Sequence, residues 1–322
     1  MTQIHTHQPD DHDSAYEGLL VDDAHWAFGS GQEFEHSEDP LAGVDTTVPD
    51  GVDPTTLATY CLMLGDDALV MSHRLAELTS RAPDLEEDIA IANIALDLLG
   101  QARLLLTRAA AADPEIVPGS REARPTGPGP SVPAEDALAF FRGDQGFRNV
   151  RLVEVPNGDF GETIARLVLF STYRLALFER LTASRDQVLA SIAAKGVKEL
   201  AYHRDFAGRW FLTLAQGTDE SRRRVLDGLA GLLPLWPELF DSHQVEAELA
   251  AAGIGVDPSG LAAEVEVVLD QVLAVAGVTR PQTAPLAGVR RLKGRDGMHT
   301  EALSKLLAEM QVVAREHPTG RW

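Results

Sequence analysis

The chain has 322 residues, 44% of them hydrophobic and only 6% aromatic, with a single cysteine and a formal net charge of −21. So large an acid excess excludes nucleic acid as a partner, because its phosphates need compensating Lys and Arg, and one cysteine excludes any intrachain disulfide. Ala and Leu are prominent and β-branched alternation is rare, which predicts an all-α fold of helices packed on helices. No uninterrupted apolar run approaches the roughly 20 residues that cross a bilayer, and the amino terminus lacks the basic-then-apolar pattern of a signal peptide. A cytoplasmic protein without membrane contact is expected, with Cys61 as a small core residue.

Residues 1–53 contain thirteen Asp and Glu and no Lys or Arg, whereas the remainder carries 36 acids against 28 bases. This acidic extension is expected to lack a packed core. Its His5, His7 and His12 read as part of a solvated tail, and Tyr16, Leu19, Leu20, Trp26 and Phe28 as a short segment able to fold onto a partner. From residue 54 onward helical signals follow one another, so 54–322 is read as the helical body. A first helix covers about 55–80. A second opens at Asp84, with Glu87 completing a capping box, and runs to about 111. Prolines between 113 and 133 mark a loop, followed by a short helix at 134–142. A third long helix starts with Asp159 as cap and Glu162 three residues on, and a fourth spans about 186–216. Two long helical pairs joined by a crossover predict a ferritin-like four-helix bundle. Helices at about 219–233, 258–276 and 300–316 are added outside it, the last after a basic connector that includes Arg290, Arg291, Lys293 and Arg295 and reads as a solvated loop.

Inside the second helix Asn93, Asp97 and Gln101 recur at i, i+4 and i+8, a polar stripe down an otherwise apolar segment. A buried carboxylate needs a metal, a cation or a hydrogen-bond network to receive it. Di-iron carboxylate bundles supply six ligands, one Glu from each of two helices and Glu-x-x-His from each of the other two. Here the first helix offers Asp67 and the second Asp97. Position 100, where a histidine would stand, is Gly100. The third helix has no carboxylate in its centre, and the fourth has Glu199 with His203 at i+4. The positions Asp67, Asp97, Gly100, Glu199 and His203 therefore read as a degenerate di-metal site, with no catalytic, cofactor or metal role. An internal network of Arg103, Lys195, Lys198, Asn93 and Gln101 is expected to receive Asp97 instead. No phosphate loop, dinucleotide fingerprint, CxxC pair or serine-hydrolase elbow is present.

The stretches "YCLMLGDDALVMSHRLAEL", "APDLEEDIAIANIALDLLGQARLLL", "FRNVRLVEVPNGDF", "AAKGVKELAYHRDFAGRWFLTLAQGTDESRRR" and "GRDGMHTEALSKLLAEMQVVAREHPTGRW" resemble the C subunits of phenylacetyl-CoA epoxidase, also called phenylacetate-CoA oxygenase. The resemblance covers about residues 55–322. It implies a ferritin-like, non-catalytic structural subunit that pairs with a homologous catalytic subunit holding the di-iron centre, beside further epoxidase subunits. It further implies that the complex epoxidises the aromatic ring with O2 and NADPH through a separate FAD and iron-sulfur reductase, and that this chain carries no cofactor. The alternative is an autonomous di-metal carboxylate oxygenase; a ferritin-like storage cage is a more distant one. The partner face is expected on Leu303, Leu306, Leu307 and Met310 of the last helix and on Trp210 and Phe211.

Overall fold

A computed structural model describes residues 40–41, 43–119, 132–286 and 292–318. Most of the acidic extension, much of the proline-rich loop, Arg290, Arg291 and the terminal Trp322 lie outside the described residues, and with them the readings that concern them.

The described residues are all helical apart from turns and loops. Four long helices dominate: α1 (Pro54–Ala76), α2 (Leu85–Ala112), α5 (Phe160–Leu181) and α6 (Gln187–Ala215). The short α3 (Ala134–Phe140) and α4 (Arg151–Glu154) lie between the pairs, and α7 (Asp219–Leu232), α8 (Gln244–Ala251), α9 (Ala262–Val275) and α10 (Glu301–Glu316) follow. α1 packs along α2 and α5 along α6, and the two hairpins meet where α2 touches α6. α7 and α9 cover α5, α8 covers α1, and α10 closes over α3 and α4.

Local chemistry explains the helix starts. Asp53 caps α1 by accepting from the Thr56 amide at 2.8 Å, with Pro54 in the first turn, where its missing N–H costs nothing. Asp159 accepts from the Glu162 amide at 3.0 Å as expected, and Asp186 caps α6 through the Leu189 amide at 2.9 Å. The capping box expected at Asp84 is absent: the Asp84 side chain accepts no amide of the first turn. Three acids, Glu86, Glu87 and Asp88, stand there instead and favour the helix N-terminus through its dipole.

α1 and α5 are buried almost all round, whereas α2 and α6 each keep an outer face. Gly196 permits the close approach of α6 to α5, since a Cβ there would stand 2.7 Å from the Phe178 ring. Cys61 is fully buried, and burial pushes its thiol well above the ordinary range. The described end of the acidic segment joins the body: Leu41 is buried, Val48 and Val52 pack on the core, and the Thr46 carbonyl accepts from Arg108 at 2.8 Å. By length and composition α2 is able to cross a membrane. Its inner side, however, packs on α1, α3 and α6.

The last helix corrects an expectation. Leu303, Leu306 and Leu307 are buried and Met310 packs against the same core, while Phe211 is buried and Trp210 stands edge-on to Phe160 at 5.1 Å. Leu303, Leu306, Leu307 and Phe211 are thus intramolecular core, while Met310 and Trp210 are half-buried against it.

Candidate functional site

Adjacent acids on α1 anchor two buried ion pairs. Asp66 is held by Arg142, whose Nη1 donates at 3.0 Å and whose Nη2 pairs with the other carboxylate oxygen, and it also accepts from the Arg148 amide at 2.8 Å. Asp67 is gripped on both oxygens by Arg295, at 3.0 and 2.8 Å, and accepts from the Val150 amide at 2.8 Å. The same guanidinium donates to the carbonyls of Met63 and Arg148 and lies 3.4 Å from Glu246 of α8. Burial alone would lower the Arg295 pKa, but Asp67 and Glu246 outweigh it and the net shift is upward. Burial also raises Glu246, against the pull of Arg295.

Reaching this position requires a glycine beside the arginine. At Gly294 a Cβ would overlap the carbonyl oxygen of Asn149, so any larger residue would push the backbone outward. The connector expected as a solvated loop is exposed over 282–286 and at Leu292, but its described basic residues are buried, which corrects the expectation for them. Arg295 lies inside the protein, and Lys293 is mostly buried and pairs with Asp241 at 2.9 Å. The reason is the double acid of α1, which demands a counter-charge that no nearby residue of its own helix supplies.

A second polar cluster joins the hairpins. Arg174 of α5 is fully buried, donates to Gln101 of α2 at 3.0 Å and to the Leu64 carbonyl of α1 at 3.2 Å, and stacks 4.4 Å from the Phe178 ring. Burial lowers its pKa to about 10, against the opposing pull of Asp67, Tyr173 and Glu199. Gln101 in turn donates to Glu199 of α6 at 2.9 Å. Burial raises the Glu199 pKa, and the nearby Asp97 charge adds to the rise.

The polar stripe of α2 therefore divides. Gln101 is buried in the inter-hairpin cluster, Asn93 is exposed, and Asp97 sits half-exposed at the rim with His203 as its partner at 2.9 Å. The expected network for Asp97 is corrected accordingly. Arg103 turns to Glu135 at 3.4 Å, Lys195 lies 3.8 Å from Glu199, and Lys198 is exposed. Asp97 and His203 come together, Glu199 reaches the centre through Gln101, Asp67 belongs to Arg295, and Gly100 offers no side chain.

This donor set does not fit a di-iron centre. Both acids of α1 are spent on guanidinium groups, and α2 lacks a donor at Gly100. α5 contributes the cation Arg174, and the one histidine of the set, His203, faces Asp97 at the rim. Two buried guanidinium groups among the would-be ligands repel a metal and satisfy the carboxylates by themselves. Among the described residues three acidic, His or Cys donors converge only at Asp84, Glu86 and Glu87, on the exposed start of α2. Arg142 and Arg174 were the missed residues, and Arg295 was expected in solvent. The signal available was Arg174 in "FSTYRLALF", a charge in the middle of a nearly continuous apolar helix.

The model of the family described as "Phenylacetic acid catabolic protein" matches residues 44–322. The chain belongs to that family. The C subunit of 1,2-phenylacetyl-CoA epoxidase from Escherichia coli (strain K12) is 41% identical over 266 residues, which are 83% of this chain and 99% of that protein. Every residue of the two clusters falls in the range the family model matches, while the acidic extension up to residue 43 lies before it.

Proposed function

We propose that this member of the family is the non-catalytic structural subunit of a phenylacetyl-CoA epoxidase. In this reading it is a cytoplasmic, ferritin-like four-helix bundle with added C-terminal helices, and it pairs with a homologous subunit that holds the di-iron centre. The chain itself would bind no metal, FAD or iron-sulfur group, the latter two belonging to a separate reductase. The likeness to the E. coli protein supports the assignment to the complex. The observation that carries the non-catalytic role is the pairing of Arg295 with Asp67 and Glu246, backed by Arg174 between Gln101 and Leu64. A catalytic bundle spends such carboxylates on iron; here they are neutralised from within, which supports reading the centre as one that holds the fold.

The test is metal content by mass spectrometry on the chain purified alone, after anaerobic reconstitution with ferrous iron and removal of loose metal. Iron well below one per chain is expected. About two irons per chain would overturn the reading in favour of an autonomous di-metal oxygenase.

A further inference from the structure

Where the chain enters α5, an Asn-Gly bond sits among groups that can act on it. Of the asparagines at 93, 149 and 157, only Asn157 precedes a glycine. Asparagine is among the thermolabile residues, and a glycine that follows it has no side chain to shield its amide nitrogen. Gly158 is exposed, and its amide donates to no atom of the described residues. A cleft of about 320 Å³, lined by Asn157, Gly158 and Glu162 and by Asp227, Gly228 and Gly231 of α7, leaves room for water beside the bond.

The amide of Asn157 is held at both ends. Its Oδ1 accepts from Nη2 of the buried Arg166, while its Nδ2 donates to the Arg74 carbonyl and, at 2.9 Å, to Glu77. Hydrogen bonds of an amide lie near its plane, so these leave the faces of Cγ open. Arg166 also donates to the Val155 carbonyl at 2.6 Å, its Nε has no partner, and no carboxylate bonds it among the described residues. Burial and the nearby Arg74 charge lower its pKa to about 10. It therefore stays charged at neutral pH and favours negative charge on Oδ1.

Glu162 supplies a proton acceptor. Its carboxylate fills the space that a side chain at Gly158 would take, which sets it against the glycine's α-carbon, one water away from the amide. Burial raises its pKa against the pull of Arg166, and Asp159 adds to the rise, so it is a stronger base than a free carboxylate.

We infer that the Asn157-Gly158 bond is a self-modification site, at which the Gly158 nitrogen displaces ammonia from Asn157 and water opens the resulting ring. Glu162 takes the Gly158 amide proton as the bond from nitrogen to Cγ forms, and Arg166 holds the oxyanion. The bond from Cγ to Nδ2 then breaks, with the proton passed on to Nδ2, which leaves as ammonia. Water adds to either carbonyl of the cyclic imide and gives aspartate or its β-linked isomer; no oxidant or further reactant takes part. Aspartate gives Arg166 the counter-charge it lacks, while Glu77 keeps Arg74 at 2.8 Å. The β-linked isomer adds a carbon to the main chain just ahead of Asp159, the cap of α5. The inference does not depend on the subunit reading.

The test incubates the full chain folded and, in parallel, unfolded in urea at the same pH, both in heavy-oxygen water. Mass spectrometry then follows the peptides that cover residues 93, 149 and 157. Loss of ammonia and then uptake of solvent oxygen are expected at 157 alone. The reaction should run about tenfold faster in the folded chain than in the unfolded one, where only the Asn-Gly sequence acts. Glu162→Gln keeps the shape of the side chain, so circular dichroism and Tm should match the wild type. Its folded rate should fall about tenfold, less than a directly placed base supplies because a water intervenes. A folded rate equal to or below the unfolded one would mean that the fold protects the bond and would overturn the inference. So would an undiminished rate in Glu162→Gln, or no reaction at 157.

Discussion

Replacing Arg295 with Met would leave Asp67 and Glu246 buried without their shared counter-charge. Breaking a buried pair from one side costs about 3–5 kcal/mol, so urea unfolding of Arg295→Met should show a loss of that size. Arg295→Lys should fall between, since an ammonium group cannot span both oxygens of Asp67 while reaching Glu246. A second buried pair carries a pH signature. His299 lies 2.7 Å from Glu154 and 3.1 Å from the Phe147 carbonyl, and Glu154 also accepts from Asn149 and from the Thr300 amide. Burial pulls the His299 pKa down, but Glu154 outweighs it, helped by the Phe147 carbonyl and the Asp66 charge, and the net shift is upward. A raised histidine stabilises fully below its unfolded pKa, near 6.5, and loses that contribution as pH rises through the folded value. The stability gap between wild type and His299→Gln should therefore be widest in mild acid and narrow toward alkaline pH; a gap that is flat with pH would assign His299 a packing role only. At this scale the acids were legible and their partners were not. Asp67, Asp97, Glu199 and His203 announce themselves by charge or imidazole on apolar helices, but a guanidinium that arrives from 228 residues away leaves no local trace.

Gly196 shows what the helices demand of one another. Alanine is the better helix former by about 1 kcal/mol, yet its methyl would press on Phe178, and overpacking of a close-packed core costs about 1–3 kcal/mol. Gly196→Ala should therefore lower Tm, read by calorimetry, although propensity alone predicts a rise. Element by element, the long helices were legible to within a few residues because 3.6-residue periodicity and a cap such as Asp159 are local properties. α4 and α8 were not, being a turn or two long with their register set by what they touch. Periodicity also tells which side of a helix is apolar without telling what covers it. Hence α10, expected to face a partner, lies on its own core, and α2, read as a buried helix, keeps Leu96 and Leu99 in the open.

For the molecule as a whole, the all-α architecture followed from composition, and family membership from long motifs that span the body. The buried pairing of Asp67, Glu246 and Arg295 did not follow, because it depends on how α1, α5, α8 and the connector before α10 meet in space. That arrangement also sets a timetable. At synthesis rates of about 5–20 residues per second, the 228 residues between Asp67 and Arg295 take about 11–46 s to add. Throughout that interval Asp67 lacks its guanidinium partner, and burying a lone carboxylate is costly, so on the ribosome the first hairpin has to leave this acid in water until Arg295 arrives.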